Sequence, residues 1–74
     1  MSIDLKDARR STVRIDLILE ARTGTRQWQG EEYPGIEAMF VTGPVREYVY
    51  LSKDDRDADF AAIRGYMDSA DIVP

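Results

Sequence analysis

An antiparallel sheet of three or four strands with a C-terminal helix on one face, an α+β fold, is the architecture that this chain of 74 residues predicts. Three observations carry it. Val13, Ile15, Leu17, Leu19 and Ala21 alternate with Arg14, Asp16, Ile18 and Glu20, which is the period of a strand. Two further strand-like runs, residues 36–42 and 45–52, are separated by Gly43-Pro44. Phe60, Ile63, Met67 and Ala70 then recur at steps of three and four, the spacing of one helix face.

The elements follow in order. Ser2 would cap a short helix over residues 3–10, with Asp4 and Asp7 near its N-terminus. That segment has only Ile3, Leu5 and Ala8 to bury, and helices so short are marginal alone, so a frayed arm is the alternative for residues 1–11. Residues 12–21 form the first strand. Arg22-Thr23-Gly24 then turns the chain, residues 25–29 form a strand carrying Trp28, and residues 30–35, with Pro34, form a loop. Glycine first and proline second in Gly43-Pro44 suit a two-residue type II′ hairpin. That register sets Thr42 against Val45, Phe40 against Glu47, Ala38 against Val49 and Ile36 against Leu51. On the other face it sets Val41 against Arg46, Met39 against Tyr48 and Glu37 against Tyr50. Ser52 with Asp55 three residues later has the capping-box spacing, so a helix should run from about Lys53 to Ser69. Gly65 weakens it by roughly 1 kcal/mol relative to alanine. Ile72-Val73-Pro74 is a short apolar tail. The expected core is Val13, Ile15, Leu17, Leu19, Ile36, Ala38, Phe40, Val49, Leu51, Phe60, Ile63 and Met67.

Composition bounds the chemistry. At 8.4 kDa the chain is one domain, and a domain of this size buries only about 60–65% of its unfolded surface. Cysteine, histidine and asparagine are absent, which excludes disulfides, thiolate zinc sites and any Ser-His-Asp or Cys-His arrangement within the chain. Carboxylates such as Glu31, Glu32 and Glu37 are capable of acid–base work, but so small a domain has little room for a catalytic pocket. No enzyme activity and no cofactor are therefore expected. Asp55, Asp57 and Asp59 mimic the first ligands of a calcium loop, but Phe60 stands where glycine is needed and Tyr66 where glutamate is needed. No metal site is expected. The longest apolar runs are four residues, too short to span a membrane, and the absence of cysteine fits a cytoplasmic chain.

Two candidate partner surfaces remain. One helix covers only one face of a sheet. The opposite face would carry Ile18, Met39, Val41, Tyr48 and Tyr50, edged by Arg14, Glu37 and Arg46. A solvated face should be mostly polar, so this one calls for a cover: the N-terminal segment, a second copy, or another protein. Base stacking on Tyr48 and Tyr50 would need a basic surround, and the net charge of -4 argues against direct nucleic-acid binding. The second surface is acidic. Residues 1–29 sum to +2 and residues 30–74 to -6. Asp54, Asp57 and Asp68 fall within a sector of about 60° on a helical wheel. With Glu31 and Glu32 they would imitate nucleic-acid phosphates and occupy a basic groove. The plainer reading is that the acids after Ser52 favour the helix N-terminus.

In size and charge the chain loosely resembles phage-encoded inhibitors of host defence, including anti-CRISPR proteins, across its whole length and at no particular residue. That analogy implies a small acidic module that inhibits or modulates a larger protein with a nucleic-acid groove. The alternative expectation is a homodimeric structural or regulatory accessory protein of the antitoxin kind.

Overall fold

The computed structural model describes residues 2–71, with side chains described through residue 68. Strands β1 (Ser2–Asp4) and β2 (Thr12–Arg14) form a two-stranded antiparallel sheet. A 3-10 turn (Ile15–Leu17) leads into β3 (Ile18–Trp28), β4 (Glu31–Phe40) and β5 (Val45–Val49), an antiparallel sheet in that order. Helix α1 (Lys53–Asp71) packs against it. The α+β architecture expected from the sequence is the one that forms.

The N-terminus corrects the expected helix or frayed arm. Ile3 pairs with Val13 in the β1–β2 hairpin, and Leu5 is 2% exposed. Ile3 and Leu5 stand two apart, a spacing that serves a strand better than a helix. The loop between the strands is closed by Asp7, whose carboxylate accepts from Ser11 N–H at 2.6 Å and Ser11 Oγ at 2.7 Å. Ala8 N–H donates to Val49 O at 2.7 Å, joining the hairpin to the edge of β5.

The expected strand over residues 12–21 is interrupted. The 3-10 turn and a bulge between Ile18 and Glu20 each shift the inward-facing phase. The buried residues become Val13, Ile15, Ile18 and Ala21, while Leu17 is partly buried and Leu19 is 59% exposed. No turn occurs at residues 22–24, which continue β3. The chain reverses instead at Gln29-Gly30, whose φ angles of 54° and 82° match a two-residue type I′ hairpin. Residues 31–35, expected as a loop, begin β4. Pro34 is tolerated there because its missing N–H lies on the β5 side, one step beyond the last pair, Gly35 with Val49. Its carbonyl accepts from Tyr50 N–H at 2.8 Å.

The β4–β5 hairpin forms, with its register three residues from the expected one. Ile36 faces Tyr48 and not Leu51, and Met39 faces Val45. The connection is a longer loop in which Gly43 N–H donates to Phe40 O and Phe40 N–H to Pro44 O, with Gly43 at φ 112°. An odd shift moves every side chain of β5 to the opposite face. Tyr48 and Tyr50 therefore point inward, while Leu51 is 66% exposed and Val49 only partly buried. Two aromatic rings bring more apolar surface to the core than Val49 and Leu51 would.

Helix α1 begins where expected, with Ser52 Oγ accepting from Asp54 and Asp55 N–H at 3.2 and 3.4 Å. Ile63 is 1% exposed, and Phe60, Tyr66 and Met67 pack partly buried against the core. The side chain of Ala70 and the tail Ile72-Val73-Pro74 lie outside the described residues. Around Ile63 the core comprises Leu5, Val13, Ile15, Ile18, Ala21, Ile36, Ala38, Phe40, Tyr48 and Tyr50.

Candidate interaction surfaces

The expected aromatic face does not form as an exposed surface. Tyr48 is 7% exposed, Tyr50 0% and Ile18 7%, all within the core. Tyr50 donates its hydroxyl to Asp59 Oδ2 at 2.7 Å, and the same oxygen accepts Lys6 N–H at 2.6 Å. Asp59 is a carboxylate in the helix's buried stripe, four residues before Ile63, and it ties β5, the helix and the N-terminal hairpin together. Burial, with the Asp59 hydrogen bond second, pushes the Tyr50 phenol far above its ordinary range. Burial likewise raises Tyr48, opposed by Arg46.

What faces away from the helix is a ladder of charges. Register places Glu20, Arg22, Arg26 and Trp28 of β3 beside Met39, Glu37, Tyr33 and Glu31 of β4 on that face. Arg26 spans the sheet, reaching Glu37 at 2.8 Å and Glu47 at 3.3 Å. Gly35 makes this possible. A Cβ there would lie 2.7 Å from Arg26 Cγ and 3.1 Å from Tyr48 O. Arg22 sits between Glu20 at 3.4 Å and Glu37 at 3.8 Å. Met39 and Glu37 are partly buried within this face, and Val41 is 57% exposed in the β4–β5 loop.

Arg14 and Arg46, expected to edge the aromatic face, are exposed. They meet Tyr48, Phe40 and Leu17 along a groove of about 420 Å³ between β2 and the end of β5. Arg14 is committed to Asp16 through two hydrogen bonds of 3.1 and 2.8 Å. That guanidinium holds the Asp16 carboxyl well below the usual carboxylate range.

The acidic residues separate into two groups. Gly24 O accepts from Arg56 Nη1 at 3.1 Å, so the start of α1 lies beside the middle of the β3–β4 hairpin. Glu31 and Glu32 stand at its tip, about 13 Å further out at the rise of a strand. Asp54 and Asp57 flank the helix start, whereas Asp68 is about 21 Å along the helix from Asp54. Asp57 is paired with Arg56 at 2.8 Å and Asp68 with Arg64 at 3.3 Å. A single surface holding all five acids is therefore not what the fold builds; Glu31, Glu32, Asp54 and Asp57 share one end. Among the described residues no group of three potential ligands is arranged to hold a metal ion, and no helix is long and apolar enough to cross a membrane.

The hairpin tip is the feature that sequence reasoning passed over. None of residues 22–34 is buried, and residues 25–34, beyond the last β4–β5 pair of Gly35 with Val49, run outward as a two-stranded ribbon. Near its end Trp28 and Tyr33 meet edge to face, with ring centroids 5.6 Å apart. Tyr33 donates to Glu31 at 2.9 Å, and this bond raises the Tyr33 phenol. Both rings are partly exposed, and Glu31 and Glu32 are exposed beside them. The available signal was Gln29-Gly30 flanked by strand formers, obscured because glutamine is an unusual residue at positive φ. No protein-family model, curated protein or solved structure matches this chain.

Proposed function

We propose that the chain is a small acidic protein-binding module whose recognition element is the tip of the β3–β4 ribbon. In this reading Trp28 and Tyr33 anchor the contact. Glu31 and Glu32, with Asp54 and Asp57 behind them, steer it to a basic surface on a larger, nucleic-acid-binding protein, which the module inhibits or modulates. The observation that carries the reading is the ribbon itself, residues 25–34, which extend beyond the last β4–β5 pair, Gly35 with Val49, without one buried side chain. Ordering that many residues costs conformational entropy that core burial does not offset, and such segments commonly carry function. An aromatic pair rimmed by acids is also the composition of an interface anchor with electrostatic steering. The analogy of size and charge with phage anti-defence inhibitors points to the same kind of partner.

The test starts with capture of partners from nuclease-treated lysate by the intact chain, followed by affinity measurement on the captured protein. Trp28→Ala should weaken binding by more than tenfold, and Glu31→Lys with Glu32→Lys should abolish it at low salt. Affinity should fall steeply between 50 and 300 mM salt. Undiminished binding by both variants, with their folds intact by circular dichroism, would exclude the tip as the recognition element.

A further inference from the structure

We infer that the outer edge of β5 is a docking site for an extended acidic peptide, which would add to the sheet as a fourth strand. The phase of the backbone sets this out. Phe40 N–H bonds Pro44 O, and Tyr50 N–H bonds Pro34 O, so the even-numbered residues of β5 turn their backbone groups toward β4. The odd-numbered residues turn theirs outward. Val49 confirms the phase, because its carbonyl accepts from Ala8 N–H at 2.7 Å. That bond is a single contact from the N-terminal loop, whose Ala8 lies in a turn. Beyond it, the N–H and C=O groups of Val45 and Glu47 point outward with no hydrogen-bond partner among the described residues.

A cleft of about 420 Å³ runs along this edge and is lined by every residue of β5. The loop residues Asp7, Ala8, Arg9 and Ser11 line it beside the edge, and Arg26, Gln27 and Trp28 of β3, on the far side of β4, line it over the sheet. Edge strands are normally covered, charged or kept short, and this short one is covered only at Val49, leaving Val45 and Glu47 open. Strand addition to an exposed edge is a recurrent mode of peptide recognition, with main-chain bonds giving affinity and pockets for alternate side chains giving specificity.

The charges choose the occupant. Asp7 is satisfied by Ser11, and Glu47 is held by Arg26 at 3.3 Å. Arg9 and Arg46 also line the cleft, and neither has an ion-pair partner among the described residues. Ser11 leaves the charge of Asp7 in place, so with Arg9 and Arg46 set against Asp7 the charge not held in ion pairs is still net positive, although the whole chain is acidic. A peptide with carboxylates on alternate residues would place them against Arg9 and Arg46 while its backbone pairs with Val45 and Glu47.

The experiment uses the full chain and an acetylated, amidated peptide of alternating glutamate and valine, five residues long. Two controls accompany it: the same peptide with lysine for glutamate, and one N-methylated on alternate amides to remove the rungs. The acidic peptide should shift the amide resonances of Val45 and Glu47, slow their exchange and change the emission of Trp28. Arg9→Glu with Arg46→Glu should weaken it at least tenfold, and the N-methylated and lysine peptides should not bind. Glu31→Lys with Glu32→Lys should leave this binding unchanged, which separates it from recognition by the hairpin tip. Equal binding of the N-methylated peptide, absence of binding, or shifts confined to Glu31, Glu32 and Tyr33 would overturn the proposal. So would a peptide-free dimer protected at Val45 and Glu47, because the edge would then belong to a second copy.

Discussion

The inner and outer halves of the β3–β4 hairpin share one ladder and differ completely in packing. The inner half contributes Ile18, Ala21, Ile36, Ala38 and Phe40 to the core. The outer half, residues 25–34, contributes no buried side chain. Its order rests on cross-strand pairs, the turn at Gln29-Gly30 and the Arg56 bond to Gly24 O at 3.1 Å. A ladder of hydrogen bonds can thus extend a strand well past the region where burial stabilises it. Aromatic residues follow the same division, with Tyr48 and Tyr50 inside and Trp28 and Tyr33 at the rim.

Substitutions in the two halves should differ in cost. Ile63→Ala, beneath the inner half, should cost about 2–5 kcal/mol, a large share of the roughly 4–11 kcal/mol expected for a domain of this length. Trp28→Ala should cost about 1 kcal/mol or less, the worth of a cross-strand pair. Urea unfolding of the two variants is the measurement, and similar midpoints would show that the ribbon is packed after all.

The buried polar network gives the next effect. Tyr50→Phe removes one of the two donors to Asp59 and should cost about 1–3 kcal/mol at neutral pH. It also has a pH signature. In the fold, the Tyr50 phenol is held neutral above its ordinary range, first by burial and then by Asp59. The unfolded chain loses that proton near pH 10, so above this pH the unfolded state binds fewer protons and stability falls. The contribution is complete below about pH 10 and is lost as pH rises toward the folded value. Unfolding midpoints between pH 8 and 11 should therefore decline for the native chain and decline less for Tyr50→Phe. Tyr48, raised in the same direction, keeps the variant from being flat. Equal slopes would remove Tyr50 as the source.

The smallest effect sharpens the view of the ribbon. Gln29 has a φ of 54°, a conformation that asparagine adopts more readily. Gln29→Asn should stabilise the chain by about 0.5 kcal/mol and raise its melting temperature by roughly 2–4 °C. A lower melting temperature would show that the glutamine side chain is needed there.

Much of this protein was decided locally. The strand character of residues 12–14, 18–21 and 45–49, the hairpin near Gly43 and the Ser52-capped helix rest on period, turn residues and caps, which act over a few neighbouring positions. So do the exclusions that follow from having no cysteine or histidine. The candidate surfaces were less legible. Arg14, Arg46 and Tyr48 do meet along a groove, and Glu31 and Glu32 are exposed, but the aromatic face as a whole was assigned to the wrong side. That assignment depended on the register of β5, and register is a property of two strands and what they pack against. A shift of three residues leaves the period of β5 untouched and reverses both of its faces, so no pattern within the strand could reveal it. Tertiary structure decided it, through the burial of two tyrosines and the meeting of Tyr50 with Asp59, residues nine positions apart that become neighbours only when the helix folds back over the sheet.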